Sequence, residues 1–236
     1  QKAAEFYKLF VQGKCHITNA RTAELVKLAE NAYRDTNIAF ANEMSLVCDD
    51  LDIDVWELRE LANMHPRVNI LMPGPGVGGH CIAVDPWFII DSARDRTPLL
   101  QAARRVNDEK PASVVELILG ETVRDQIDAI CCLGLSYKAD IDDLRESPSV
   151  NIVQMLAEQF EGKIFVVEPY INALPKELRS FSNISLAELK IGMDKSAMCV
   201  LLTDHMEFQY LSTDDLKDKK VIDTRGMWRS TGEKGN

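Results

Sequence analysis

Apolar residues recur at helical spacing through the first half of the chain, whereas the second half carries short apolar runs. From Asn19 onward the apolar positions follow an i, i+3, i+4 pattern, and no proline or glycine interrupts residues 14–65. This pattern predicts a helix of about thirty residues, capped by Thr18 or Asn19 and well above the usual length of ~11–12 residues. Such a helix often forms a spine or a subunit interface.

Later helices are marked by capping residues and prolines. A second helix is predicted from Asp54 to the residues before Pro66. The dipeptides Thr97-Pro98 and Ser147-Pro148 each have the form of an N-cap followed by a first helical residue. Pro111 is predicted to start a further helix in the same way.

Beyond residue 125 the pattern changes to short runs rich in valine and isoleucine, with helical segments between them. Such alternation predicts a parallel sheet covered by helices. The predicted fold class is α/β: an all-helical central section with a long spine helix, followed by a Rossmann-like parallel α/β domain. The predicted strands lie at residues 127–135, 163–169, 197–204 and 219–224.

The same patterns divide the chain into three parts. Residues 19–109 form the central helical section, and residues 110–236 form the α/β domain. Residues 1–18 carry a short helical pattern and a brief segment, CHIT, neither of which could fold alone. We therefore expect residues 1–18 to be the tail of another unit.

Composition and charge narrow the classes of function. A net charge of −10 disfavours a protein that tracks nucleic-acid phosphates, and the longest apolar runs are far shorter than a membrane span. The N-terminus lacks the features of a signal peptide. None of the six cysteines forms a CxxC pair, so neither zinc nor dithiol chemistry is indicated. We expect a cytoplasmic protein with no metal, whose cysteines are mostly buried free thiols.

The chemically distinctive stretch is PGPGVGGHCIAVDP, residues 73–86, which holds four glycines and Cys81. Its GPGVGG segment matches the dinucleotide fingerprint, but Pro75 interrupts the turn and Pro86 follows too soon for a crossover helix. A hydrolase nucleophile elbow fails because Ala83 stands in place of its second glycine. A flexible loop with an incidental thiol remains open, although clustered glycines usually allow close backbone approach.

Three motifs in order carry a family resemblance. GPGVGGHCIAVDP, with AELVKLAENAYRDTNIAFANE before it and GLSYKADIDDLRESPS after it, resembles the UDP-glucose/GDP-mannose dehydrogenase family over about residues 16–228. The forms GGHC and HPRVNILMPGPG are most similar to members that oxidise UDP-N-acetyl-D-mannosamine. The resemblance implies NAD-dependent, two-step oxidation of a sugar C6 alcohol to the uronate through a cysteine thiohemiacetal and thioester, for surface polysaccharide synthesis.

The resemblance also implies a further domain. Family members begin with a Rossmann domain that binds NAD, and residues 1–18 are similar to its last helix and strand. The chain is therefore expected to be a fragment, inactive alone, whose NAD-binding residues lie mostly elsewhere.

Four residues take catalytic roles by resemblance. Cys81 would be the nucleophile, and Asp85 would orient water and assist proton transfer. Lys27 would stabilise the oxyanion, and Asn31 would hydrogen-bond the same oxygen. From the residues alone, Asp85 could start a turn and Lys27 could pair with a neighbouring glutamate. Lys27 and Asn31 lie opposite the apolar stripe, so both are expected to need a second domain to cover them.

The resemblance assigns further residues to the UDP-sugar. Arg145 falls in the same motif as Lys138, but its side chain could equally form an ion pair with a structural role. His80 is expected to be a substrate contact rather than a base for Cys81, because neighbours on an extended segment point to opposite faces. The predicted substrate-binding residues are Gly78, Gly79, His80, Arg67, Lys138 and Arg225.

The long helix around residues 19–50 is expected to form a homodimer, and in this family Arg67 reaches the sugar nucleotide across the dimer. UDP-glucose and UDP-N-acetylglucosamine remain possible substrates. Two other functions remain open: a non-catalytic UDP-sugar-binding dimerisation module, and a thiol hydrolase or acyl transferase built on Cys81.

Overall fold

The long spine helix is present as predicted. The computed structural model describes residues 2–228, and helix α2 (Ala20–Leu51) is 32 residues long. Its N-cap is Asn19, whose side chain accepts a hydrogen bond from the Thr22 N–H at 2.9 Å. A short helix, α1 (Lys2–Tyr7), precedes it. Residues 8–19 contain no strand, so the strand expected in CHIT is not formed.

Helices α3 (Val55–Asn63) and α4 (Asp85–Ser92) flank the glycine-rich stretch. Asp54 caps α3 by accepting from the Trp56 N–H at 2.8 Å, as its position predicted. Helix α4 was not predicted from the sequence. It begins at Asp85 because Pro86 occupies the first turn, where a proline ring is compatible with helical geometry.

Helix α5 (Pro98–Arg124) corrects the prediction of a helix starting at Pro111, because this proline lies inside one continuous helix. A proline there removes the hydrogen bond to the carbonyl four residues earlier. Packing of α5 against α2 and against α6 (Pro148–Gln159) outweighs that loss. The predicted boundary between residues 109 and 110 falls within α5, and the division into domains remains a prediction.

The proline dipeptides behave differently at their caps. Ser147 caps α6 by accepting from the Ser149 N–H at 3.2 Å. Thr97 stands at the N-cap position of α5, but its hydroxyl instead donates to the carbonyls of Ala93 and Arg94.

The second half of the described chain forms a five-stranded parallel sheet in the order β3-β2-β1-β4-β5. The four predicted strands are present. The fifth, β3, was missed because it is only three residues long. The strands are β1 (Ala129–Leu133), β2 (Lys163–Val167), β3 (Ile184–Leu186), β4 (Met198–Leu201) and β5 (Lys220–Asp223).

Two apolar clusters fill the faces of this sheet. One face packs against α5 and α6 through residues such as Ile118, Ile152 and Leu156. The other face carries a second apolar cluster that includes Met193 and Phe208. Residues of α7 (Leu189–Asp194) and α8 (Thr213–Leu216) pack against this cluster. Cys48, Cys131, Cys132 and Cys199 are buried free thiols, as predicted. No helix within residues 2–228 is both long and apolar enough to span a bilayer.

Candidate active site

Cys81 lies in the turn that leads from the glycine-rich loop into α4. Its carbonyl accepts hydrogen bonds from the N–H groups of Val84 at 3.2 Å and Asp85 at 2.8 Å. Its side chain is exposed, unlike the four buried cysteines. The turn therefore presents an accessible thiol one helical turn before the Asp85 carboxylate.

The structure brings Asp85 together with Asn31, which lies 54 residues earlier in the chain. The Asn31 Nδ2 donates to the Asp85 Oδ2 at 2.5 Å. Asn31 is buried against α4, so the expectation that a second domain must cover it is wrong. Helix α4 supplies the cover because the Cys81 turn places it directly beside α2.

Lys27 is not drawn into these contacts. Its ammonium lies 3.8 Å from the Glu30 carboxylate, and both side chains are about two-thirds exposed, at 64% and 63%. This is the surface ion pair that the helical spacing alone would produce, and such pairs contribute little to stability. Lys27 lies one helical turn before Asn31, on the same side of α2.

The glycines of the loop make room for the chain itself. A Cβ at Gly78 would lie 2.6 Å from the Glu146 carbonyl oxygen and 2.7 Å from the Tyr137 Cβ. Gly79 has a φ of +81°, and a Cβ there would lie 2.8 Å from the Tyr137 ring. The loop between β1 and α6 thus packs directly on the glycine-rich loop. The substrate contacts expected of Gly78 and Gly79 remain predictions.

This loop does not fit the phosphates of a dinucleotide. Residues 68–72, which would have to form the preceding strand, are irregular. The space that a pyrophosphate would need beside the glycines is filled by Tyr137 and Pro148. No helix opens within the GPGVGG segment, since α4 begins only at Asp85.

A buried polar network holds the loop from below and was missed at the sequence level. The Asn42 Oδ1 accepts from the Gly74 N–H at 2.9 Å, and the Asn42 Nδ2 donates to the Asn107 Oδ1 at 2.9 Å. Asn107 donates in turn to the Asp35 Oδ1 at 2.8 Å. Arg104 donates to the same oxygen at 2.5 Å. The feature of the sequence that could have indicated this network is the presence of polar residues on the helix faces of α2 and α5 that are otherwise buried.

Arg225, which follows β5, is largely buried and contacts both the chain after β4 and the glycine-rich loop. Its Nε donates to the Leu202 carbonyl at 3.0 Å and lies 3.7 Å from the Asp204 carboxylate. A Cβ on Gly74 would lie 2.9 Å from its guanidinium. Burial lowers the pKa of Arg225, and the charges of Asp204 and Asp223 oppose that shift.

Arg145 forms an ion pair beside the thiol. Its guanidinium donates to both carboxylate oxygens of Asp143, at distances of 2.5–3.1 Å. Hydrogen bonds from Arg145 lower the pKa of Asp143 to about 2, and the nearby His80 adds to that shift. The pKa of Arg145 is raised mainly by Asp143, with smaller effects of Tyr137 and Cys81. Arg145 thus forms the structural ion pair, and its carbonyl accepts from the Gly79 N–H at 3.2 Å, two residues before Cys81.

The remaining substrate candidates are exposed. His80 precedes the thiol, and Lys138 follows β1 at the carboxyl edge of the sheet. Arg67 lies after α3, where its backbone N–H donates to the His65 Nδ1 at 3.3 Å. The described contacts bring neither Arg67 nor Lys138 to Cys81.

Two sequence models of one family match the chain. They are the central domain of the UDP-glucose/GDP-mannose dehydrogenase family, over residues 21–109, and its UDP binding domain, over residues 131–230. NDP-N-acetyl-D-galactosaminuronic acid dehydrogenase from Ralstonia nicotianae is 52% identical over 97% of this chain and 53% of its own length. UDP-N-acetyl-D-mannosamine dehydrogenase from Escherichia coli is 48% identical over 97% of this chain and 56% of its own.

Solved structures agree with these matches. UDP-D-ManNAc dehydrogenase from Pyrococcus horikoshii superposes with a TM-score of 0.84 at 34% identity, over 98% of this chain and 55% of its own. UDP-N-acetyl-mannosamine dehydrogenase from Staphylococcus aureus gives 0.83 at 37% identity, over 98% of this chain and 54% of its own. The chain spans about half the length of the relatives it matches, with coverage of 53–56%.

Proposed function

The chain belongs to the UDP-glucose/GDP-mannose dehydrogenase family, and from that premise we propose that it oxidises the C6 alcohol of a UDP-linked N-acetylhexosamine to the uronate, with NAD as the hydride acceptor. The observation that carries this proposal is the exposed Cys81 thiol beside an Asp85 carboxylate fixed by Asn31. The reaction would take place in the cytoplasm and supply uronates for a surface polysaccharide.

In this proposal the Cys81 thiolate adds to the C6 aldehyde, giving a thiohemiacetal whose oxygen bears the developing charge. The Asn31 amide has a second N–H that remains free to donate to that oxygen. The Lys27 ammonium, on the same side of α2, adds positive charge. Loss of a second hydride from the thiohemiacetal, to the NAD named above as acceptor, would give the thioester. Asp85 would then accept a proton from the water that attacks the thioester, and the Cys81 thiolate would leave as the uronate is released.

The proposal assigns NAD to no residue of the described chain. The glycine-rich loop does not fit its phosphates, because Tyr137 and Pro148 occupy the space beside the glycines. We therefore propose that a further part of the protein holds the hydride acceptor, and that residues 1–236 do not turn over alone. The chain's coverage of 53% of the Ralstonia relative supports this expectation.

On the nucleotide side, the proposal places UDP at the carboxyl edge of the sheet. Lys138 follows β1 there, and in parallel α/β sheets ligands bind beyond the carboxyl ends of the strands. Arg225 and His80 would contact the same substrate, as would the backbone at Gly78 and Gly79.

The proposed homodimer is supported by the surface of α2. Four apolar side chains spaced seven residues apart are 39–70% exposed: Val26, Tyr33, Phe40 and Val47. A seven-residue apolar repeat is the pattern by which two helices pack along a common seam. A partner subunit on this seam would bring its own Arg67 to the sugar nucleotide.

The dimer is tested by sedimentation of Phe40→Glu, which should convert the dimer to a monomer because it places a charge in the seam. Tyr210→Glu, at a side chain 83% exposed and away from α2, should leave the dimer intact. A wild-type protein that sediments as a monomer would contradict this part of the proposal.

The substrate is tested by assaying the complete enzyme with four UDP-sugars. These are the N-acetylmannosamine, N-acetylgalactosamine, N-acetylglucosamine and glucose compounds. We expect oxidation of UDP-N-acetylmannosamine, with two NADH formed per uronate. Preference for UDP-N-acetylgalactosamine would follow the Ralstonia relative instead. Tight UDP binding without NADH from any sugar would favour a non-catalytic module.

A further inference from the structure

A buried polar cluster lies behind Lys138 at the carboxyl edge of the sheet. It consists of Ser136, Glu168 and His205, whose residues are 0%, 4% and 0% exposed, together with the half-exposed Asp140. We call these four residues the His205 cluster. They follow three different strands, β1, β2 and β4, and they meet only in the folded chain.

The His205 ring holds the backbone on both sides of Lys138. Its Nδ1 accepts from the Asp140 N–H at 2.9 Å, and an amide N–H can only donate, so the neutral ring carries its proton on Nε2. That Nε2 lies 3.1 Å from the Ser136 Oγ and 3.1 Å from the Glu168 Oε2. The Ser136 Oγ donates to the Lys138 carbonyl at 2.9 Å.

Glu168 fixes the start of the same loop. Its Oε2 accepts from the N–H groups of Leu135 at 2.7 Å and Ser136 at 3.0 Å. Burial acts to raise the pKa of Glu168, but hydrogen bonds from His205 and from these two amides outweigh burial and lower it. The same Oε2 thus holds the Leu135 and Ser136 amides and lies within hydrogen-bond distance of the His205 Nε2.

Asp140 completes the cluster in a left-handed backbone conformation, with a φ of 61°. Its Oδ1 accepts from the Met206 N–H at 2.9 Å and from the Tyr170 hydroxyl at 3.2 Å. A residue other than glycine rarely adopts this backbone conformation unless its surroundings hold it there. The segment 136–140 is thus held in one shape by groups distant in sequence.

We infer that His205 is a positioning residue for Lys138: it fixes the segment 136–140 so that the Lys138 ammonium points to the UDP diphosphate. The inference rests on the proposed function, in which Lys138 contacts UDP. Lys138 makes no side-chain hydrogen bond or ion pair with any described residue, and only its backbone is held. A buried His–Glu pair costs desolvation that apolar packing would avoid, so a positional role explains why it is there.

Two amide variants of His205 test the contacts of its two ring nitrogens separately. In His205→Asn the Oδ1 can replace Nδ1 as acceptor for the Asp140 N–H, whereas His205→Gln keeps a donor near Glu168 and loses that acceptor. By calorimetry with the whole protein, we expect His205→Gln to weaken UDP binding about tenfold and His205→Asn less than about threefold. Equal losses, or a larger loss in His205→Asn, would overturn the inference.

A double-mutant cycle tests whether His205 acts through Lys138. Lys138→Ala should weaken UDP binding, and adding His205→Gln should then cost less than about a further twofold. In the complete enzyme, His205→Gln should raise KM for the UDP-sugar and leave kcat within about twofold, because Cys81 is untouched. Losses that multiply in the double variant would show that His205 acts independently of Lys138.

Hydrogen exchange at the Asp140 amide provides a readout without ligand. Exchange should be slow in the wild type and in His205→Asn, and faster in His205→Gln; unchanged exchange contradicts the inference. If His205→Gln does not fold, Ser136→Ala removes the bond to the Lys138 carbonyl and should weaken UDP binding in its place. A wild type that binds no UDP contradicts the proposed function, while Asp140 exchange still decides the role of His205.

Discussion

The two sides of the candidate active site differ in how their polar groups are held. On the nucleotide side, Ser136, Glu168 and His205 are buried, and each has a partner within the chain. On the catalytic side, Cys81 and Lys27 are exposed, and the Asn31–Asp85 bond is the contact that joins two of the proposed catalytic residues.

This difference shows which part of the site the chain organises by itself. The segment carrying Lys138 is fixed by Glu168 and His205, which follow β2 and β4, so the proposed nucleotide side is held in shape by the chain itself. The Cys81 loop is anchored from below, where Asn42 accepts from the Gly74 N–H, but the thiol remains open above. Chemistry at Cys81 would therefore depend on a hydride acceptor held outside the described residues, whereas on the nucleotide side only the proposed Arg67 of the partner subunit would be added from outside.

The largest expected effect separates the two sides outright. In the complete enzyme, Cys81→Ala should lower uronate formation by at least about a thousandfold, because no thiol is left to add to the aldehyde. The Kd for UDP should stay within about twofold. Cys15→Ala, at the half-buried cysteine of the N-terminal segment, is the matched control and should leave both values unchanged. Uronate formation that survives Cys81→Ala would remove the thiol from the mechanism.

The next effect tests the anchoring of the catalytic side. Asp35→Ala removes the buried carboxylate that pairs with the Arg104 guanidinium at 2.5 Å and leaves Arg104 with the half-exposed Asp108, which should lower the free energy of unfolding by about 2–3 kcal/mol. Urea denaturation followed by circular dichroism measures the loss. Glu30→Ala, which breaks the exposed pair with Lys27, should cost less than about 1 kcal/mol. Similar losses from both variants would show that the buried network does not anchor the loop.

A smaller effect concerns the contact between the two sides. Gly79→Ala should destabilise the protein by about 1–3 kcal/mol, because φ is +81° and the new Cβ would lie 2.8 Å from the Tyr137 ring. Gly120→Ala, inside α5 with no atom within 4 Å of the new Cβ, should stabilise by about 0.5–1 kcal/mol. Thermal unfolding distinguishes the two signs. A neutral Gly79→Ala would mean that the loops do not pack as described.

The smallest effect is electrostatic and is read by NMR titration of the Asp143 carboxyl group. Its pKa is lowered to about 2 mainly by side-chain hydrogen bonds from Arg145, so Arg145→Ala should raise the pKa toward about 3.9, while the hydrogen bond from the backbone N–H of residue 145 is kept. Because the native pKa is lowered, this contact stabilises the fold above the unfolded pKa, and the gain is lost as pH falls toward about 2. Lys176→Ala, at an exposed lysine elsewhere, should leave the titration unchanged. A wild-type pKa near 3.9 would show that Arg145 is free to serve the substrate.

Some features of the structure followed from local sequence alone. The apolar spacing after Asn19 predicted the spine helix, and the valine- and isoleucine-rich runs predicted four of the five strands. These signals are local because burying one face of a helix or both faces of a strand constrains residues that are close in sequence. The GGHC motif likewise singled out Cys81, whose side chain is exposed in the structure, while its role as nucleophile remains a prediction.

Only the tertiary structure decided how the polar groups are paired. Asn31 meets Asp85 across 54 residues, and Asp140 meets His205 across 65. It also showed that Pro111 lies within one helix and that the loop glycines accommodate Tyr137 and Pro148, two neighbours that the sequence did not predict. A buried polar atom must find a partner wherever the fold provides one, and the periodicity of a single segment carries no information about that partner.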